Sequence, residues 1–167
     1  YASNWSLTVC SFDSLTGIPT YKSKITDIKD INSIAASDSF VYVSAYGYND
    51  TALYVYKRTD ETDNLIPVQK LLPSDGIFSP TKLVLSHDNH FLYVYDSIKI
   101  SIFNIDSLSG KISLEDKVII NNYFSGIWNA TKILISKDNR YSYLAGGNTI
   151  SVFSRDTSTG KLTFIQL

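Results

Sequence analysis

The segment Ser86–Ile112 is written again, with substitutions, as Ser136–Leu162. Asp88, Asp106 and Gly110 each return fifty positions later as the same residue type. A weaker third copy begins near residue 37, and a partial copy opens the chain at residues 7–17. An internal repeat of this length is typical of proteins that stack one supersecondary unit many times, so it restricts the fold more than any other feature of the chain.

Each full copy contains four short runs of alternating apolar residues separated by turn residues. In the best copy these runs are 82–85, 91–95, 99–104 and 111–120. No helical period lies between them, so the pattern predicts four antiparallel strands. The twelve Tyr, eight Phe and many Val, Ile, Ser and Thr residues suit pleated, half-buried surfaces. A four-stranded unit that recurs every ~40–50 residues predicts the blade of a β-propeller.

The predicted fold is all-β, an arc of about three and a half four-stranded antiparallel blades within one domain. Residues 1–28 form a half blade, and residues 29–75, 76–125 and 126–167 form one blade each. An open arc exposes blade faces and a sheet edge, which proteins normally cover. We therefore expect the remaining blades of a larger propeller, a partner chain or further copies of this chain to complete the ring. The chain contains no Met, and we interpret it as a fragment or a cleaved piece.

Short motifs carry a resemblance to a known family. Ser-His-Asp-Asn at 86–89 precedes Leu-Tyr-Val at 92–94, and a Thr-Gly-Lys-Leu hairpin stands at 159–162. These motifs resemble the YVTN-type repeats of the lactonase-like seven-bladed β-propellers, although His87 and Asn89 replace the Pro and Gly of the family turn. WD40 signatures are absent. The resemblance implies a seven-bladed ring and permits a lactone hydrolase.

Charge and cysteine content exclude several classes of function. The formal net charge of −1, spread along the chain, gives no field that would hold nucleic acid. No apolar run approaches the ~20 residues of a membrane-spanning helix. Cys10 is the only cysteine, so no internal disulfide can form, and its strand position predicts a small buried side chain. The sequence does not decide the cellular compartment, and it favours an extracellular or periplasmic location.

The repeat serves as an internal control, because a residue that serves only the blade should recur in every copy. Asp88 recurs as Asp138, which predicts a turn-capping role. His87 and His90 recur as Lys137 and Arg140. We therefore interpret both histidines as solvated turn residues and predict no metal, no cofactor and no catalytic residue in this chain.

Residues that fail to recur are better candidates for a site. In a propeller, the loops between blades share one face with the loops between second and third strands, and Tyr and Trp there give large contact area at low entropic cost. The candidate binding residues on this face are Tyr46, Tyr48, Asp75, Phe78, Asp96, Asn122, Tyr123, Phe124, Trp128 and Asn148. Alternatively, Phe78 and Trp128 are plugs packed between blades.

These observations favour a non-enzymatic interaction or scaffold module that binds a protein or glycan through its loop face. Two alternatives stay open: a fragment of a 6-phosphogluconolactonase-type hydrolase, and a purely structural repeat of a large surface protein. A lactonase would need Glu, His and Arg at the channel, whereas both histidines are predicted on the opposite face. Asn4, Asn49 and Asn129 fit the N-glycosylation pattern.

Overall fold

The computed structural model describes residues 6–59, 64–120 and 130–166. Among them no helix has the length and apolar character needed to cross a membrane. The described residues form fourteen strands and one short 3-10 turn. The strands are β1 Leu7–Phe12, β2 Pro19–Ile25, β3 Ile31–Ala36, β4 Phe40–Tyr46, β5 Thr51–Arg58, β6 Leu65–Leu71, β7 Lys82–Leu85, β8 Phe91–Tyr95, β9 Lys99–Ile105, β10 Ile112–Ile119, β11 Ala130–Ile135, β12 Tyr141–Gly146, β13 Thr149–Arg155 and β14 Leu162–Gln166. The 3-10 turn, Pro73–Asp75, follows β6.

The strands form one two-stranded and three four-stranded antiparallel sheets. In each sheet every strand pairs with its neighbour in sequence, as in β3-β4-β5-β6, β7-β8-β9-β10 and β11-β12-β13-β14. The first sheet, β1-β2, has the hairpin that elsewhere joins third and fourth strands, so it is the outer half of a blade. This architecture confirms the predicted arc of about three and a half β-propeller blades.

Successive sheets contact each other mainly through their first strands, β3 with β7 and β7 with β11. At the first of these contacts the Ser33 hydroxyl accepts a hydrogen bond of 3.1 Å from the Leu83 backbone N–H. Three apolar clusters fill the spaces between the sheets. Each blade therefore buries its faces on its neighbours, with the first strands nearest the propeller axis.

A tight hairpin joins the third and fourth strands of a blade. In the third sheet the Asp106 carboxylate accepts backbone hydrogen bonds from Leu108 (3.1 Å) and Ser109 (2.7 Å). Gly110 then takes a φ of 72°, close to the 69° of Gly17 and the 71° of Gly160. A residue with a Cβ is strained there, which explains the glycine in these three hairpins. These bonds show that Asp106 caps its turn.

Exposure differs between repeat-equivalent positions at the two ends of the arc. Tyr93 and Ile100 are 0% exposed, whereas their counterparts in the last sheet, Tyr143 and Ile150, are 36% and 55% exposed. Cys10 was expected to be buried and is instead exposed. Its counterpart Phe103 is fully buried against the preceding sheet, and β1-β2 has no preceding sheet among the described residues.

Candidate functional site

Antiparallel connections place the turns at two opposite ends of the sheets. One end, the loop face, carries the turns at 47–50, 96–98 and 147–148 and the connection 72–81 from β6 to β7. The other end, the turn face, carries the turns at 37–39, 86–90 and 136–140 and the hairpins at 106–111 and 156–161. The described candidate binding residues all lie on the loop face.

The structure presents part of the candidate set to solvent. Tyr46 and Tyr48 border the β4–β5 turn, where the Tyr48 side chain is fully exposed. Asn148 is exposed in the β12–β13 turn. The turn that carries Tyr48 is held in place by Asp30, whose carboxylate accepts a 2.7 Å hydrogen bond from the Asn49 backbone N–H. The predicted residues Asn122, Tyr123, Phe124 and Trp128, and the glycosylation candidates Asn4 and Asn129, lie outside the described residues.

Asp75 and Asp96 bond to their own loops. The Asp75 carboxylate accepts a 2.7 Å hydrogen bond from the Leu72 backbone N–H. Asp96 is buried, accepts hydrogen bonds of 2.9 Å from the Ile98 and Lys99 amides, and pairs with the Lys99 ammonium at 3.6 Å. Both carboxylates thus hold the backbone of their own loops, and Asp75 remains exposed to solvent whereas Asp96 is buried.

Phe78 covers the buried Lys99 side chain. The Lys99 ammonium donates a 3.1 Å hydrogen bond to the Gly76 carbonyl and lies 4.3 Å from the centroid of the Phe78 ring. Phe78 remains 63% exposed, so it does not act as a plug between blades. The ammonium joins the β6–β7 connection to the β8–β9 turn, and the ring shields that contact from water.

A second polar group on the loop face involves Tyr54. Its hydroxyl donates a 2.5 Å hydrogen bond to the Asp50 carboxylate. Burial, together with this hydrogen bond and the charge of Asp50, raises the pKa of Tyr54. The Lys70 ammonium lies 3.8 Å from the Asp50 carboxylate and 4.7 Å from the centroid of the Tyr54 ring. The phenol therefore stays protonated, and the three side chains form a structural group.

Two lysines occupy the same position on the inner strands. Lys82 begins β7 and pairs with Tyr95, and Lys132 occupies the matching register in β11, opposite Ala145. The corresponding position of β3 is Ser33. Neither ammonium has an ion pair with a described residue. The inner strands thus bring uncompensated positive charge close to the loop-face end of the channel.

The histidines lie on the turn face, as predicted, and within the described ranges no three His, Cys, Asp or Glu side chains are grouped to hold a metal ion. His87 is more than a solvated turn residue. Its backbone N–H donates a 2.8 Å hydrogen bond to the Asn139 side chain, and its ring Nε2 lies 3.3 Å from the Ile135 carbonyl. His87 therefore links the third sheet to the fourth.

The turn face also holds a buried network that the sequence analysis missed. Arg155 is 5% exposed, and its Nε donates to the Tyr93 hydroxyl, which donates a 2.8 Å hydrogen bond to the Gly160 carbonyl. Nη1 donates to the Asn139 carbonyl at 2.9 Å, and Nη2 lies 3.6 Å from the Asp88 carboxylate. Asp88 also caps its turn by accepting from the His90 amide at 3.1 Å, as predicted.

The repeat contained a signal for this network. The residue that ends the third strand is Arg58 in one blade, Ile105 in the next and Arg155 in the last. Failure to recur had been used as a sign of function for loop residues only. Applied to strands, the same criterion marks this position, because Ile105 stands between two arginines, and so it draws attention to Arg155 as well.

The fold and the inner strands define the class of protein as a β-propeller, and comparisons narrow it further. Residues 2–123 match the family described as "Lactonase, 7-bladed beta-propeller", and the chain belongs to this family. None of the curated proteins matches the sequence at a significant level.

Solved structures show the same fold. A candidate 6-phosphogluconolactonase from Bacteroides uniformis superposes with a TM-score of 0.76 at 17% identity, over 97% of this chain and 48% of that one. A second candidate 6-phosphogluconolactonase, from Bacteroides fragilis, has a TM-score of 0.63 at 19% identity. The superposition covers 78% of this chain and 36% of that one. A periplasmic gluconolactonase from Pseudomonas aeruginosa has a TM-score of 0.60 at 21% identity. The superposition covers 77% of this chain and 36% of that one. This chain thus spans less than half the length of these three structures.

These matches overturn the expectation of a non-enzymatic interaction module and favour the alternative, a lactonase-like hydrolase. One ground for that expectation was the placement of both histidines away from the loop face. Because the chain spans less than half of its structural relatives, the groups of one active site need not all lie within it. Their absence from the loop face of this segment is therefore weak grounds against catalysis.

Proposed function

We propose that this chain is an arc of a seven-bladed propeller that hydrolyses a sugar lactone. The match of residues 2–123 to the lactonase family carries the proposal. Further sheets cover the two open ends of the arc, because Tyr143 and Ile150 in the last sheet and Cys10 in the first are exposed at positions that are buried in the third sheet. Solved structures described as gluconolactonase or candidate 6-phosphogluconolactonases give the substrate class.

Lactone hydrolysis adds water to the ring ester and needs no oxidant or reductant. Water attacks the carbonyl carbon, negative charge develops on the carbonyl oxygen, and the bond to the ring oxygen breaks. The ring oxygen takes up a proton, and the product is an open hydroxy acid that releases one proton near neutral pH. A positive group aimed at the developing oxyanion lowers the barrier to this step.

Lys82 is the described residue best placed to contribute to such a site. It lies on an inner strand near the loop-face end, is partly exposed, and has no ion pair with a described residue. Its ammonium would attract a lactone that bears an anionic group and stabilise charge on the carbonyl oxygen. Lys132 repeats the arrangement one blade later.

A pH-stat assay on the full-length protein tests the proposal. δ-Gluconolactone and its 6-phosphate are the substrates, and the spontaneous rate is subtracted. We expect proton release above the spontaneous rate, with kcat/KM reduced about tenfold or more in Lys82→Ala. Lys117→Ala, on the outer strand β10, is the matched control and should retain the wild-type rate. Proton release at the spontaneous rate for both lactones would refute the proposal.

A further inference from the structure

A cleft of about 220 Å³ opens on the turn face between the second and third sheets. The second sheet contributes Asp38, Phe40 and Tyr42 to its wall, and the third sheet contributes Asn89 and Ile105. The following interface, between the third and fourth sheets, has Arg155 at the position of Ile105. The two interfaces can therefore be compared group by group.

Ile105 and Arg155 are equivalent by register and by backbone bonding. Ile105 pairs with Ile112 and Arg155 with Leu162, in each case as the last residue of the third strand. The Ile105 amide donates to the His90 carbonyl at 2.9 Å, and the Arg155 amide donates to the Arg140 carbonyl at 2.7 Å. One blade thus places a guanidinium where the preceding blade places a shorter apolar side chain.

Every group that holds the Arg155 guanidinium has a counterpart in the wall of the cleft. Arg155 contacts the Tyr93 hydroxyl, the Asp88 carboxylate, the Asn139 carbonyl and, at 5.2 Å from the centroid, the Phe91 ring. Tyr42, Asn89 and Phe40 occupy the corresponding positions in the cleft, and Asp38 supplies a carboxylate from a turn two residues shorter than that of Asp88. The cleft therefore presents a hydroxyl, a carboxylate, a carbonyl and an aromatic face, and no arginine is among the described residues that line it.

The Tyr42 hydroxyl shows the consequence of this difference. Tyr93 gives and receives a hydrogen bond through its hydroxyl, whereas the Tyr42 hydroxyl bonds to no other described residue, although the side chain is 1% exposed. Burial raises the pKa of Tyr42 to about 12, so the phenol stays neutral. Asp38 is exposed at the mouth of the cleft and has no ion pair with a described residue.

We propose that this cleft binds a guanidinium cation, in the place that the Arg155 guanidinium occupies one blade later. The cation is carried either by a small alkylguanidine or by an arginine side chain of a peptide. A guanidinium fits better than an ammonium because its planar fork can serve the hydroxyl, carboxylate and carbonyl together and stack on the ring. This binding is independent of lactone hydrolysis.

Titration of the protein with n-propylguanidinium chloride, followed by amide chemical shifts, tests the proposal. n-Propylammonium chloride at equal ionic strength is the comparison. We expect saturable shifts confined to residues that line the cleft, and at least tenfold weaker binding of the ammonium. Ile105→Arg should supply the guanidinium from the chain, abolish binding and raise Tm, whereas Ile105→Leu should leave binding intact.

Arg155→Ile provides the converse test, because it should create a second cleft of the same kind and raise the stoichiometry from one to two. If Ile105→Arg or Arg155→Ile fails to fold, Asp38→Asn and Tyr42→Phe should each weaken binding several-fold. Acetyl-Gly-Arg-Gly-amide distinguishes the sources: tighter binding than propylguanidinium indicates a peptide ligand, and equal binding indicates a small one. Equal affinity for guanidinium and ammonium, or binding that survives Ile105→Arg, would overturn the proposal.

Discussion

A Cβ on Gly160 would lie 2.5 Å from Cδ1 of the Phe91 ring. Gly110 has the same relationship with Phe40 one interface earlier. The hairpins that join third and fourth strands in the third and fourth sheets therefore each sit on the first residue of the second strand of the preceding sheet. Gly17, in the equivalent hairpin of the first sheet, has nothing within 4 Å of the same position. The glycine thus permits both the left-handed turn and close packing between blades.

Gly160→Ala should destabilise the protein more than Gly76→Ala, because a Cβ on Gly76 would meet only the Leu114 side chain, at 4.0 Å. Both substitutions place a Cβ at positive φ, which costs about 1–2 kcal/mol. Only Gly160→Ala also forces a methyl group into a packed ring, which typically costs about 1–3 kcal/mol more. Urea unfolding of both variants measures the difference. Equal free energies of unfolding would show that the glycine serves the turn alone.

Tyr93→Phe and Tyr42→Phe form a matched pair at equivalent positions. The Tyr93 hydroxyl bonds to Arg155 and Gly160, so its removal leaves buried groups without a partner. We expect Tyr93→Phe to lower the free energy of unfolding by about 1–3 kcal/mol. Tyr42→Phe should have almost no effect, because its hydroxyl bonds to no described residue. A similar loss in both variants would contradict the assigned network.

Lys99→Met should be strongly destabilising. The Lys99 and Asp96 side chains are each 5% exposed, and removal of one partner leaves the other charge buried without compensation. Such a change typically costs about 3–5 kcal/mol. Lys132→Met is the control, because Lys132 is exposed and has no ion pair with a described residue, and it should change stability little. Thermal unfolding of both variants should separate them by many degrees, and similar Tm values would show that the pair contributes little.

Stability should fall between about pH 4 and pH 2 as the hairpin carboxylates become protonated. Hydrogen bonds from the Ser158 hydroxyl and from the Thr159 and Ser158 amides lower the pKa of Asp156 to about 2. An unfolded aspartate has a pKa near 3.9, so the stabilisation is fully present above about pH 4 and disappears as the pH falls through the folded value. The urea midpoint of Asp156→Ala should therefore lie below that of wild type at pH 6 and approach it near pH 2. A difference that is independent of pH would exclude a role for the charge.

The repeat was sufficient to predict four strands in a blade, and in the best copy the predicted runs match the strands to within one residue, because turn residues and alternating apolar runs depend on local sequence. The contacts between sheets could not be predicted in this way. Arg155 meets Tyr93 and Asp88 across an interface, and nothing local to those residues indicates that meeting. The exposure of Cys10 and Phe78 likewise depends on which sheet faces them, and the candidate binding residues of the loop face stay a prediction.

Thiol labelling of the full-length protein tests most directly whether this chain is one arc of a closed propeller. Three variants are made in a Cys10→Ser background. Ile150→Cys places a thiol on the open face of the last sheet, and Ile100→Cys places one at the equivalent buried position of the third sheet. Leu108→Cys places a thiol at an exposed hairpin position. If a further sheet covers the arc, Cys at 150 should react as slowly as Cys at 100. Labelling at 150 as fast as at 108 would show that the last sheet faces solvent, and would contradict the closed seven-bladed ring.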